Sequence, residues 1–234
     1  MTFAIEGADA IGFEYRNVPI KAIQVLDVKS AKGSVIDRDV VIDGDELAGS
    51  DRFWTSLFAR FGFNKAFFKY FSPEETFDRI ALHNPNETLR VCVEKNTKSR
   101  SRVLAVSAPD RAIVGFDELY ALLEDNGGEQ VKYSNGVITS MQTPQRAMPD
   151  FDVADSAFRY QFCLSTPLDG YGAPNIYLAL LRQVCGNGAV AMAPAFKSEV
   201  KLGKKDDDIM GQMLRAIDSF NNEEGFLALR QRLE

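Results

Sequence analysis

The residues best placed to do chemistry in this chain are cations set beside aromatic rings. Lys95, Lys98, Arg100 and Arg102 fall in one polar stretch without an acid, between two apolar runs. Lys65-Ala66-Phe67-Phe68-Lys69-Tyr70-Phe71 interleaves cations with rings, and Lys197, Lys201, Lys204 and Lys205 form a third group. Single-stranded nucleic acids are held by cationic grooves that follow the phosphates and by rings that stack on the bases. The pattern nominates Lys98, Arg100 and Arg102 as phosphate contacts, with Lys65, Lys69 and Tyr70 next. The competing reading makes Phe67, Phe68 and Phe71 core residues and the lysines their solvated rim.

Other chemistries find less material. Cys185 would need a base and an electropositive neighbour to act as a nucleophile. Arg182, three residues earlier, is the one hint of such a neighbour, and the lone histidine, His83, is far away in sequence. Zinc needs clustered Cys and His, which the chain lacks, so His83 reads as a cap at a helix end and no metal is expected. Asp37, Asp39, Asp43 and Asp45 lack the loop length and closing Glu of a calcium hand and read as a strand edge and turn. Gly186-Asn187-Gly188 follows a predicted helix, whereas a phosphate cradle precedes one. No cofactor is expected.

Arg182-Gln183-Val184-Cys185-Gly186-Asn187-Gly188 carries a family resemblance. It is similar to a motif of the phage- and plasmid-like family catalogued as domain of unknown function 932: an arginine, two residues, a cysteine, one residue, then Asn-Gly near a helix end. The strand-then-helix pair of Arg102–Ala108 and Gly115–Leu123 resembles the same family, as does the Leu168-Asp169-Gly170 approach. The resemblance runs from about Arg102 to Lys197. It marks Arg182, Cys185, Asn187 and Gly188 as the family motif and implies a mobile-element context. Family members often place a histidine soon after the Asn-Gly; here Ala193-Pro194-Ala195-Phe196-Lys197 has none.

These residues must be positioned by the elements around them. Val18–Val28 and Ser34–Ile42 are rich in β-branched residues and predict a hairpin turning at Ala31-Lys32-Gly33. Ser50 is an N-cap, with Phe53, Trp54, Leu57, Phe58 and Phe61 on one helical face and Gly62 at its end. Ser72-Pro73-Glu74-Glu75 is a capping box with proline at the first helical position, predicting a helix to about Leu82. Thr88–Glu94 and Arg102–Ser107 predict a second hairpin, Phe116–Glu124 a helix, and Gln130–Tyr133 with Val137–Gln142 a third hairpin over Asn135-Gly136. Ala157–Ser165 predicts a strand, Asn175–Val184 a short apolar helix, and Ala189–Ala193 and Ser198–Leu202 two short strands. Asp206-Asp207-Asp208 caps a C-terminal helix to about Phe220, with a further turn or two over 222–233.

The sum is an α+β fold: a largely antiparallel sheet built from hairpins, with interspersed short helices and a C-terminal helix. One domain over 1–234 is expected, with a weak seam near 148–150. At 45% hydrophobic, the 234 residues suffice for one sizeable core or two small ones. The net charge of −6 opposes the basic excess that duplex-coating domains carry, so a nucleic-acid surface would be a local patch. It equally opposes broad docking on an anionic membrane. Cys92, Cys163 and Cys185 are an odd set without a disulfide framework. The start of the chain lacks a basic region ahead of an apolar run and does not read as a signal peptide. No stretch approaches the ~20 apolar residues of a membrane span. A cytoplasmic location is expected, in the host if the chain is phage-encoded. The leading expectation is a non-enzymatic phage or mobile-element protein that binds single-stranded nucleic acid in recombination or replication. The second is an assembly protein forming homo-oligomers through Phe-rich surfaces. The third is an unrecognised enzyme using Cys185 and Arg182.

Overall fold

Residues 39–42, 45–49, 88–96 and 102–107 become the middle strands of a six-stranded sheet. The computed structural model describes residues 5–8, 11–26, 38–64, 66–142, 151–153, 156–183, 190–200 and 208–220. The chain divides into two compact units: a first over 9–111 and 169–171, and a second over 1–8, 112–168 and 172–234. Residues 148–150, where a seam was expected, lie outside the described residues.

The first unit holds β1 (Ile11–Pro19), β2 (Ile23–Val25), β3 (Asp39–Ile42), β4 (Asp45–Gly49), α1 (Asp51–Arg60), α2 (Pro73–His83), β5 (Thr88–Asn96) and β6 (Arg102–Ser107). Its strand order is β1-β5-β6-β4-β3-β2. All pairs are antiparallel except β4 with β6. Strand alternation splits β5 into two faces. Leu89, Val91 and Val93 join a buried cluster with Phe53, Trp54, Leu57 and Phe58 of α1 and Phe77 and Ile80 of α2. Burial of each such side chain stabilises the fold by about 1.5–3 kcal/mol. Arg90, Cys92 and Glu94 point to the opposite face and are buried there too.

Hydrogen bonds fix α1 against the sheet. The Ser50 hydroxyl accepts from the Phe53 amide at 3.1 Å and donates to the Leu104 carbonyl at 2.8 Å. Buried Ser56 donates to the Phe53 carbonyl and accepts from the Val106 amide at 2.9 Å. Gly62, at φ +79°, ends the helix as expected. The capping box of α2 forms in both directions between Ser72 and Glu75.

The second unit holds α3 (Phe116–Asp125), β7 (Gly128–Ser134), β8 (Val137–Gln142), β9 (Phe151–Val153), β10 (Ser156–Pro167), β11 (Asn175–Gln183), β12 (Val190–Glu199) and α4 (Ile209–Phe220). The strands run in the order β12-β11-β10-β8-β7, with β9 also pairing β10, and every named pair is antiparallel. Asn135 and Gly136 both have positive φ, the geometry of a tight hairpin turn. Asp208 caps α4, its carboxylate accepting from the Gly211 amide at 2.7 Å.

The α+β class therefore holds, and several element assignments change. Asn175–Gln183 is not a helix but a central strand bonded to β10 on one side and β12 on the other. A short apolar run fits helix and buried strand equally well by periodicity, and here pairing on both edges decides. The two short strands expected after it are one, β12. Pro194 of that strand pairs with Ala179 where the register shifts, a position an edge strand tolerates. β1 and β4 went unforeseen, and Ile20–Ala22, expected within a strand, is a 3₁₀ turn. The turn at Ala31-Lys32-Gly33 and residues 222–233 lie outside the described residues, although β2 and β3 do pair as the hairpin reading expected.

Candidate functional site

The cationic stretch between β5 and β6 folds into a web of ion pairs. Asn96 turns the chain, its side-chain oxygen accepting from the Lys98 amide at 2.8 Å and the Ser99 amide at 3.1 Å. Arg100 reaches Asp39 at 2.7 Å and Glu46 at 3.0 Å. Asp39 raises the pKa of Arg100 by accepting its hydrogen bond. Register sets Arg102 opposite Glu94, and its guanidinium grips that carboxylate at 2.8 and 3.1 Å. Lys95 lies 3.3 Å from Glu14 and 3.7 Å from Asp45. Arg16 bridges the same two acids, and its hydrogen bonds hold both carboxyls below their usual range. Lys98 is exposed and has no carboxylate partner among the described residues.

The second cluster sits on the connection between α1 and α2. Lys65 lies outside the described residues. Lys69 ends a 3₁₀ turn, Phe67–Lys69, and is exposed. Tyr70 is 82% exposed and Phe71 43%. Phe67 and Phe68 are half-buried and belong to a chain of ring contacts. It runs from buried Phe53 through Trp54 (4.9 Å between centroids), Phe58 (6.0 Å), Phe68 (4.5 Å) and Phe67 (5.8 Å) to Phe71 (4.7 Å).

Beside that chain lies a pocket of about 590 Å³. Its aromatic walls are Trp54, Phe58, Phe63, Phe68 and Tyr171, and its polar lining is Asp51, Thr55 and Asn64. The turn Asp169–Tyr171 brings Tyr171 there. Arg52, next to the pocket on α1, donates to both oxygens of Asp169 at 2.6 and 3.0 Å and to the Tyr171 carbonyl at 2.7 Å. Its guanidinium carbon stands 5.3 Å from the centre of the Tyr171 ring, a cation–π contact. The Asp169 carboxylate also accepts from the Tyr171 amide at 2.9 Å. Sequence reasoning marked Asp169-Gly170-Tyr171-Gly172 as a tight turn and missed its partner. The only signal was an arginine inside the first turn of α1, far away in sequence.

The reverse face of the first sheet carries a buried polar row. Arg90 has no carboxylate partner among its hydrogen bonds; it donates to the Ser107 hydroxyl and to the carbonyls of Pro109 and Arg111. Burial pushes up the pKa of the Cys92 thiol and of the Tyr15 phenol, its register partner on β1. The Cys163 thiol is likewise pushed up by burial. All three groups therefore stay protonated at neutral pH, which suits packing and not nucleophilic attack.

The proposed family motif falls in the second unit. Arg182 lies on β11, a strand where the motif reading expected a helix end, and Cys185, Asn187 and Gly188 lie outside the described residues. His83 ends α2. Among the described residues no group of three or more His, Cys, Asp and Glu is arranged to hold a metal ion, and no helix is long and apolar enough to cross a membrane. A scan against protein-family models finds no match, and searches of the curated proteins and of the solved structures find none either.

Proposed function

We propose that the chain is a non-enzymatic binding protein that holds single-stranded nucleic acid on the α1–α2 connection of its first unit. The observation that carries this reading is the aromatic pocket, joined through Phe68 and Phe67 to the exposed ring of Phe71, with exposed Tyr70 its neighbour in the chain. Unstacked bases find faces there, and Lys69 places a cation in the same stretch. Lys98 is a second phosphate contact. Arg100 and Arg102 are weaker candidates, because a phosphate would have to displace Asp39, Glu46 and Glu94 from them. The resemblance of residues 102–197 to a phage and plasmid family supports a mobile-element setting, in recombination or replication within a host cytoplasm.

Trp54 is the only tryptophan and lines the pocket, so its emission reports on occupancy. Titration with oligothymidylate at low salt is expected to change that emission at micromolar protein, and high salt to weaken binding. Tyr70→Ala should cost about 1–3 kcal/mol of binding, the usual worth of one stacked base. Lys69→Ala should flatten the salt dependence, while Arg100→Ala should leave affinity unchanged. Absence of binding at low salt would overturn the reading.

A second reading, homotypic assembly, is favoured by one observation: Tyr70, Phe71 and Leu82 are large, exposed and all in the first unit. A salt-insensitive oligomer in light scattering, without affinity for oligothymidylate, would select it.

A further inference from the structure

We propose that the pocket of the first unit prefers guanine to the other bases, with Asp51 reading its Watson–Crick edge. This rests on the base-binding reading above and adds which base is bound.

Donor and acceptor capacity at the pocket wall carries the inference. Asp51 lines the pocket, is exposed, and makes no hydrogen bond or ion pair through its carboxylate among the described residues. Ionised, it only accepts. The Thr55 hydroxyl gives its hydrogen to the Asp51 carbonyl at 2.7 Å, so towards a ligand it accepts as well. Asn64 spends its side-chain oxygen on the Ala66 amide at 2.9 Å, which leaves its NH₂ group to donate. The wall thus offers a carboxylate and a hydroxyl oxygen as acceptors and one amide donor.

Guanine presents the complement. Its N1–H and N2–H₂ donors are adjacent, so one carboxylate can take both, and its O6 follows as an acceptor for an amide. Adenine and cytosine set one amino group beside a ring nitrogen lone pair that repels a carboxylate. Thymine and uracil hold a single N–H between two carbonyl oxygens. The aromatic walls bind every base alike, through its faces. Selection therefore falls to the polar atoms. The volume of about 590 Å³ lies in the usual range for sites that enclose one small ligand.

The test is titration of the full chain with GMP, AMP, CMP and UMP, read by Trp54 emission excited at its red edge. Oligothymidylate with and without one central guanine forms a second arm. The expected result is at least about tenfold tighter binding for guanine in both arms, the discrimination of one good bidentate contact. Asp51→Asn should bring guanine down to the level of the other bases, and Asp51→Glu, which keeps an acid in the first turn of α1, should retain the preference. Equal affinity for all bases, or a preference that survives Asp51→Asn, overturns the guanine assignment while base binding stands. No emission change with any nucleotide or oligomer overturns both.

Discussion

Replacing Arg52 with alanine tests whether the Asp169–Tyr171 turn is clamped to the first unit as described. Asp169 is 1% exposed and its side chain is fully covered, whereas the Arg52 side chain keeps 24% of its surface. Without Arg52 the Asp169 carboxylate retains one described donor, the Tyr171 amide. Stranding a buried charge in this way costs about 3–5 kcal/mol. Loss of the ring contact with Tyr171 adds about 0.5–1 kcal/mol. Water can enter where the guanidinium was partly exposed, so a total near the lower end, about 3.5 kcal/mol, is expected. Arg52→Lys keeps the charge but not the planar fork that meets both oxygens, and should fall between wild type and alanine. Urea unfolding followed by Trp54 emission reads the first unit directly. A double-mutant cycle with Asp169→Ala should return a coupling of about 2 kcal/mol or more, since the two side chains share one contact. The alanine variant should also bind bases more weakly, because Tyr171 loses the group that holds it at the pocket wall. A cost below about 1 kcal/mol, the worth of an exposed ion pair, would refute the clamp.

Two further perturbations probe the same unit. A Cβ at Gly49 would stand 2.8 Å from the Arg38 carbonyl oxygen and 3.0 Å from Trp54 Nε1, and that carbonyl is fixed by the Gly49 amide at 3.0 Å. Gly49→Ala should therefore cost about 1–3 kcal/mol, as overpacking does, with a shifted Trp54 emission; a change under about 0.5 kcal/mol in urea would contradict the packing. Burial raises the pKa of the Cys92 thiol and the Tyr15 phenol, so the folded state keeps protons that the unfolded chain loses. Their contribution to stability is complete below the ordinary thiol pKa of about 8.5 and is lost as pH rises from there through the folded values. The urea midpoint should fall from pH 8 to pH 10, and Cys92→Ala should reduce the slope; a midpoint that stays level would refute the burial argument.

Elements with local grammar were legible in the sequence. The capping box at Ser72, the N-cap at Ser50 and the Asn135-Gly136 turn each carry their own hydrogen-bond logic within four residues, and each forms as read. The long-range contacts were not legible in the same way. Nothing local tells Ile176 and Tyr177 that strands flank them on both sides, and their neighbours Leu178 and Leu180 suit a helix as well. The parallel pairing of β4 with β6 joins residues separated by both helices of the unit, and no turn signal announces it. The pocket was half visible: the aromatic face of α1 was legible as helical, while Tyr171 reaches the pocket through a turn that Arg52 clasps at Asp169, a contact between residues far apart in sequence.

The cationic stretch shows why a charge cluster in sequence is a weak guide to a charged surface. Lys95, Arg100 and Arg102 lie close together along the chain, but the sheet sets acids from three other strands beside two of them. Glu14 of β1 and Asp45 of β4 meet Lys95, and Asp39 of β3 with Glu46 of β4 meets Arg100. Glu94, opposite Arg102 on β5, is 2% exposed, so that arginine serves first to compensate a buried carboxylate. The same sheet that gathers the cations gathers their counter-charges. A phosphate arriving at Lys95, Arg100 or Arg102 would compete with carboxylates already paired to them, and each exchange would leave an acid uncompensated; of this hairpin's cations only Lys98 stays available among the described residues. Lys69 and Tyr70 face no such competition in the described contacts. The balance of electrostatics therefore moves the proposed contact surface from the hairpin that looked most basic to the aromatic connection between the two helices.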